Sequence, residues 1–400
     1  MKTIVHIATH TTNIGDGALI KGLQSTLPAD IGSEIHFIDH CLTDFLHFDK
    51  LSFDQHYVEW LNNNADLLMI GGGGFIMGQK KDTSGLALPF EISLLQQLKI
   101  PIVVYAVGYN LFYGETLRNA HALSALIAQI RDLGGLFSVR NDGSKERLEK
   151  DLGSAVMNSV WEVPDPGLFV PVEPMLHPQI RSGRRNIVLQ LAGDRLASRL
   201  MKDSGGRSGG MFGALKKRQQ PEPEGADAVW EAIANVCNEI SAKHDVNFIL
   251  APHIHSDLAI AQDFILASRK IPPPRHFSGF RLEVSGVLRG TRNASGFFDL
   301  YRQADLVVGM RGHSTIVSVG AGTPCVGIVS HPKVEGFLKD CGLEKWSANI
   351  MDANLEDSLS EKITMLLDDS SEWRALRAAA VEKMAQKRKQ FHREIKRLLD

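Results

Sequence analysis

No apolar run in this 400-residue sequence reaches the length of a membrane-spanning helix, so a bundle of transmembrane segments is not expected. Cysteine is scarce. Cys41, Cys237, Cys325 and Cys341 are scattered without C-x-x-C spacing, which argues against both a zinc finger and a disulfide framework and fits a reducing, cytoplasmic setting. Charge of one sign is also lacking. The formal net charge is only -2, so no global field gathers a polyanion, and nucleic acid is not an expected partner. No G-x-G-x-x-G fingerprint and no glycine loop with a Walker lysine occurs, which removes the dinucleotide and P-loop readings. No internal repeat is evident. The opening residues Met1 to Ala8 read as a short strand rather than as the apolar core of a signal peptide.

What the chain does have is the rhythm of parallel βαβ units: short aliphatic or β-branched runs, each followed by glycine or polar residues and then by helical spacing. Strands are predicted to open at Ile4, Ile35, Leu67, Ile102 and Leu136, with crossover helices at Gly17 to Leu27 and His121 to Leu133. These make a first Rossmann-like domain over residues 1–175. The pattern restarts with strands at Asn186 to Gln190, Asn247 to Ala251, Leu306 to Gly309 and Cys325 to Val329, and helices at Ala226 to Lys243 and Asp257 to Lys270, giving a second domain over 185–350. Helices fill 355–400, with a break at Asp368 to Ser371. A basic, glycine-rich stretch at 204–223 reads either as a lid over an anionic ligand or as a surface insertion.

Candidate chemistry gathers where strands end. The first strand runs into Asn13-Ile14-Gly15-Asp16, at a helix start whose free N–H groups suit a polar or anionic ligand; Asn13 or Asp16 equally suits a helix cap. Gly71-Gly72-Gly73-Gly74 follows a buried strand and permits close backbone approach to a ligand. Arg140 ends another strand, where open α/β sheets bind their ligands and where a guanidinium suits carboxylate or phosphate. Asp165-Pro166-Gly167 reads as a structural turn. In the second half, Arg311-Gly312-His313-Ser314 joins a fixed cation, a titratable imidazole and a hydroxyl at a helix start, and Lys333 adds a cation on the next loop. His253 and His255 alternate as strand neighbours do, but no third ligand stands at a known metal spacing, so substrate contact or a polar strand end is the better reading.

Taken in order, these elements resemble the polysaccharide pyruvyl transferase family, with its Asn-x-Gly-Asp loop, glycine run, arginine turn, Asp-Pro turn and Arg-x-His motif. The resemblance runs from Asn13 to Leu343. One departure is visible: Asn141 follows Arg140 where the family has aspartate, and Asp142 comes next. The resemblance implies an α/β fold of two Rossmann-like domains in a GT-B-like arrangement, with a C-terminal helix crossing back. It implies phosphoenolpyruvate as donor and a saccharide acceptor, free or carried on a nucleotide or lipid, for a surface polysaccharide.

The expected catalytic residues are His313 as general acid, Arg311 and, as base, Asp16. Asn13, Gly15, Gly72, Gly73, Gly74, Arg140, Ser314 and Lys333 are the expected binding residues. No cofactor and no metal is called for, because arginine and lysine supply the positive charge. Membrane contact is at most peripheral, through the basic stretch Lys383 to Arg397, for which a solvated helix face is the plainer account. Homo-oligomerisation is left open. Two rivals share the architecture: a GT-B nucleotide-sugar glycosyltransferase, and a non-catalytic sugar- or anion-binding protein.

Overall fold

The computed structural model describes residues 1–10, 13–46, 50–79, 83–200, 226–268 and 293–400. The glycine-rich stretch at 204–223 lies outside the described residues, as do the last two residues of the helix expected to end at Lys270.

Six strands form the first sheet: β1 (Lys2–Ala8), β2 (Ile35–Cys41), β3 (Leu67–Ile76), β4 (Ile102–Tyr109), β5 (Leu136–Arg140) and β6 (Val160–Val163). All pair in parallel, in the order β2-β1-β3-β4-β5-β6. Five strands form the second: β7 (Arg185–Gln190), β8 (Val246–Leu250), β9 (Leu306–Gly309), β10 (Cys325–Val329) and β11 (Ser347–Asn349). Their order is β11-β10-β9-β7-β8, again all parallel. Strands β4, β8, β9 and β10 are buried along their whole length, which is why they read as unbroken apolar runs rather than alternating ones. Each order reverses once, beside β1 and β3 in one sheet and beside β7 and β9 in the other. Such switch points leave a crevice outside the carboxyl ends of the strands.

The helices that matter for the site are α1 (Ile14–Ile31), α2 (Ala120–Asp132), α3 (Ala226–Lys243), α4 (Ser256–Ser268), α5 (Gly312–Ala321), α6 (Pro332–Asp340), α7 (Leu355–Asp368) and α8 (Ser371–Leu399). Helix α1 extends well beyond the expected Gly17 to Leu27. Asn13 caps its start, accepting from the Gly15 amide at 3.0 Å, and Gly32 at φ 68° closes its end.

Helix α8 carries the chain back across both domains. Near its start Trp373, Ala380 and Met384 pack into the second-domain core, while Phe391, Ile395 and Leu399 pack with Ile4, Leu23, Leu27 and Tyr105 of the first. Buried polar contacts fix that second half: His392 Nε2 meets the Tyr105 hydroxyl at 2.8 Å, and Arg388 Nε donates to Asp30 at 2.8 Å. The expected fold class, two Rossmann-like domains with a returning C-terminal helix, is the one observed.

The glycine run differs from expectation. It is not a loop after β3 but part of it, and its positive φ angles of 135°, 75° and 149° at Gly71, Gly72 and Gly73 accompany a shift in the pairing with β4. A Cβ at Gly71 would overlap the Tyr105 carbonyl. No helix among the described residues is long and apolar enough to cross a membrane.

Candidate active site

The two sets of strand ends face each other across a cavity of about 380 Å³. From the first domain come Thr9 after β1, Asn13 capping α1, Asp16 on α1, Gly74 on β3, Asn110 after β4, Arg140 on β5 and Asp142. From the second come Asp194 and Arg199 after β7, His253 after β8, Arg311 and His313 after β9, and His331 and Lys333 after β10. Five cationic side chains line it, Arg140, Arg195, Arg199, Arg311 and Lys333, against three carboxylates, Asp16, Asp142 and Asp194. The excess favours an anionic ligand.

His313 sits at the start of α5 and reaches into the first domain. Its Nε2 lies 3.4 Å from Asp165 Oδ2, and its ring rests against Gly15 so closely that any Cβ there would overlap it. Asp165 is fully buried. It accepts from Arg140 Nη1 at 2.8 Å and from the Gly167 amide at 2.8 Å, while its own amide donates to Asn141 Oδ1 at 2.9 Å. Burial opposes its charge, but His313, Arg140 and the Gly167 amide outweigh that and hold its pKa down at about 2. The Asp165-Pro166-Gly167 turn, read from sequence as structural, therefore supplies the buried carboxylate that faces the imidazole. That role was not visible from the turn itself, since its two charged partners come from other elements.

Arg140 is 3% exposed and is also paired with Asp142 at 3.2 Å. Burial works against its charge, and Asp142 and Asp165 more than compensate, so the guanidinium is held more firmly protonated than usual. Asp142 thus supplies a carboxylate to the arginine turn, while Asn141 braces Asp165 and donates to Asp340 at 2.8 Å.

Arg311 is bound in the same way by the second domain. Its Nε donates to Asp257 at 2.9 Å, its Nη2 reaches Asp257 and Asp194, and its amide donates to Gln190 Oε1 at 2.8 Å. Burial opposes the charge, but Asp257 and Asp194 raise its pKa further. Arg199 shares Asp194 at 2.8 Å and donates to Ser330 Oγ at 3.0 Å. Burial disfavours the charge on Asp194, yet Arg311 and Arg199 bring its pKa to about 2.

Lys333 stands apart. Its Nζ reaches across the cleft to Asn110 Oδ1 at 2.6 Å, and burial, with Arg140 nearby, lowers its pKa to about 7. Asp16 is shifted the other way: burial raises its pKa, against the pull of His313, Arg140 and Lys333. His253 and His331 are kept neutral mainly by burial; His253 Nε2 meets the Tyr301 hydroxyl at 2.7 Å, and His331 Nδ1 caps α6 by accepting from the Lys333 amide at 3.2 Å. His255 is exposed and does not join His253 in a cluster.

Of the residues expected at the site, Asn13, Asp16, Gly74, Arg140, Arg311, His313 and Lys333 line the cavity. Gly15 lies behind it against His313, and Ser314 is buried with its hydroxyl on the Arg311 carbonyl at 2.6 Å. Gly72 and Gly73 shape β3 without lining the cavity. Sequence reading missed Asp165, Asn110, Asp194 and Arg199. Asp194 and Asn110 each follow a predicted strand closely, so position at a strand's carboxyl end was the available signal.

A family model described as polysaccharide pyruvyl transferase matches residues 13–332. Among curated protein sequences no significant match was found. Solved structures similar to this chain include a glycosyltransferase from Rickettsia africae, at 9% identity and a TM-score of 0.56, covering 100% of this chain and 98% of that one. A UDP-N-acetylglucosamine 2-epimerase is similar at 12% identity and a TM-score of 0.52, covering 94% of this chain and 90% of that one. At such identities the likeness is one of fold, a GT-B-like pair of Rossmann-like domains.

Proposed function

The chain belongs to the polysaccharide pyruvyl transferase family, and from that membership we propose that it moves the pyruvyl group of phosphoenolpyruvate onto two hydroxyls of a saccharide as a cyclic ketal. The observation that carries the reading is the His313–Asp165 pair set beside Asp16 in a cation-rich cleft. Phosphoenolpyruvate brings a phosphate and a carboxylate, and the excess of positive side chains suits both.

In this scheme a sugar hydroxyl adds to C2 of the donor while C3 takes a proton, giving a ketal phosphate. The second hydroxyl then displaces phosphate and closes the ring. His313 is the acid toward C3, with Asp165, 3.4 Å from its Nε2, holding the imidazole in orientation. Asp16, whose pKa is raised by burial, takes the proton of the attacking hydroxyl. Lys333, Arg199 and Arg311 hold the phosphate and carboxylate. Because Arg311 already has two aspartates, it contributes as much by fixing that wall as by its own charge.

The acceptor is a sugar of a surface polysaccharide or its precursor, presented free or on a nucleotide or lipid carrier. The four cysteines are free, in keeping with a cytoplasmic setting. The test is incubation of the full chain with isotope-labelled phosphoenolpyruvate and a panel of sugars, nucleotide sugars and oligosaccharides. Acceptor-dependent phosphate release with label in an acid-labile ketal is the expected result. Transfer of a sugar from a nucleotide donor, with no use of phosphoenolpyruvate, would replace this reading with the glycosyltransferase one.

A further inference from the structure

Away from the cleft's cations, at the edge of the first sheet, three side chains converge that the reaction does not use. β1 and β2 run parallel in a register that sets His6 opposite Asp39, and His10 follows β1 directly. His6 is fully buried, and its Nε2 lies 3.1 Å from the Gly71 carbonyl, so that nitrogen carries the proton and donates it. Its Nδ1 is left with a free lone pair. That atom lies 3.4 Å from Asp39 Oδ1, and His10 Nε2 lies 3.7 Å from the same oxygen. Both nitrogens are buried and have no hydrogen-bond partner among the described residues. All three donor atoms fall within 4.8 Å of one another.

These separations are too long for good imidazole–carboxylate hydrogen bonds, which fall at about 2.7–3.2 Å. They are close to what a shared ion requires. Ligands about 2.0–2.2 Å from a tetrahedral zinc ion lie roughly 3.3 Å apart. We infer that His6 Nδ1, His10 Nε2 and Asp39 Oδ1 form a binding site for one divalent transition-metal ion of the zinc type, with an open fourth position.

The surroundings have the character of a second ligand shell. The Gly71 carbonyl fixes the His6 tautomer, and Gln24 Nε2 donates to both Asp39 oxygens at 3.0 Å. Two imidazoles and one carboxylate suit zinc or a neighbouring metal better than calcium or magnesium, which favour oxygen-rich shells. His10 and Asp39 are partly exposed, which gives an ion a way in. An ion there ties edge strand β2 to the segment between β1 and α1, whose Thr9 and Asn13, with Asp16 in the first turn of α1, form one wall of the cleft. Its role is to stiffen that wall; no chemical step passes through it, and the inference stands independently of the proposed reaction.

The full chain, stripped with chelator, is titrated with Zn²⁺ by calorimetry with metal analysis, and with Co²⁺ by visible absorption. One equivalent of zinc, a raised melting temperature and a four-coordinate Co²⁺ spectrum without a thiolate charge-transfer band are expected. Asp39→Asn and His10→Gln should abolish the stoichiometric binding, and Gln24→Ala should weaken it about 10- to 100-fold. Circular dichroism without metal checks that each variant is folded. If a variant is not, the native chain's cobalt spectrum still decides between nitrogen–oxygen ligation and thiolate. Zinc binding that is absent from the native chain, that survives both ligand substitutions, or that is lost instead in Cys41→Ser would overturn the assignment.

Discussion

Arg140 and Arg311 line the same cleft, one at the end of β5 and one just after β9, and each is gripped by a pair of aspartates. Their surroundings differ in one respect. The Arg311 cluster closes within the second domain, among Asp194, Asp257, Arg199 and Gln190. The Arg140 cluster is open: Asp165 passes from Arg140 to His313, which belongs to the opposite domain. Thus one cluster is a rigid wall, whereas the other is completed only when the two domains meet. An arginine at a strand end marks the site in both cases, but its charge is largely engaged with its own aspartates, and the less compensated cation is Lys333.

The largest test of this contrast is His313→Ala, which removes the contact crossing the cleft. Turnover should fall about 10²- to 10⁴-fold, with phosphoenolpyruvate affinity by calorimetry nearly unchanged. Next comes removal of one buried carboxylate from each cluster. Asp165→Asn and Asp257→Asn should each cost about 3–5 kcal/mol in denaturant unfolding, because each leaves a buried arginine short of a counter-charge. They should separate in kinetics. Asp165→Asn lowers kcat through His313, whereas Asp257→Asn acts on the donor's KM; equal effects on both constants would erase the distinction.

Acid should distinguish the clusters more gently. A carboxylate whose pKa is depressed in the folded state contributes stability above its unfolded value, and that stability is lost as pH falls through the folded value. For Asp165 the fall runs from the ordinary carboxylate value of 3.8 to about 2, worth about 2 kcal/mol. Asp165→Asn should flatten the melting-temperature profile in this window more than Asp194→Asn does, since Asp194 is about a third exposed and more screened.

The smallest effect concerns Lys333. With its pKa near 7 in the free protein, binding an anionic donor should draw a proton onto the amine. Affinity should then weaken by about fivefold from roughly pH 7 to roughly pH 8. Lys333→Arg, charged throughout, should bind with no such slope in calorimetry.

Much of this architecture was legible because parallel strands buried on both faces are written as apolar runs, as in Ile102 to Val107 or Cys325 to Val329. The short strands Val160–Val163 and Ser347–Asn349 were not, because one has half-buried residues at its centre and the other only three residues to show. At the site, Arg311, His313, Lys333 and Asp16 were legible from strand-end and helix-start positions. Asp165 was not, since an aspartate before proline and glycine makes a sufficient turn by itself. Its charged neighbourhood arises only when β5 and α5 are brought beside it. Gly15 was noticed for its loop, yet what requires glycine there is the His313 ring from the other domain.

Donor identity bears most directly on the whole reading. The purified chain is titrated by calorimetry with phosphoenolpyruvate and, separately, with UDP- and GDP-sugars, alongside Arg311→Ala. Saturable phosphoenolpyruvate binding that is weakened in Arg311→Ala is the predicted result. Binding of nucleotide sugars, with no heat from phosphoenolpyruvate, would contradict pyruvyl transfer and assign the cleft to a glycosyl donor.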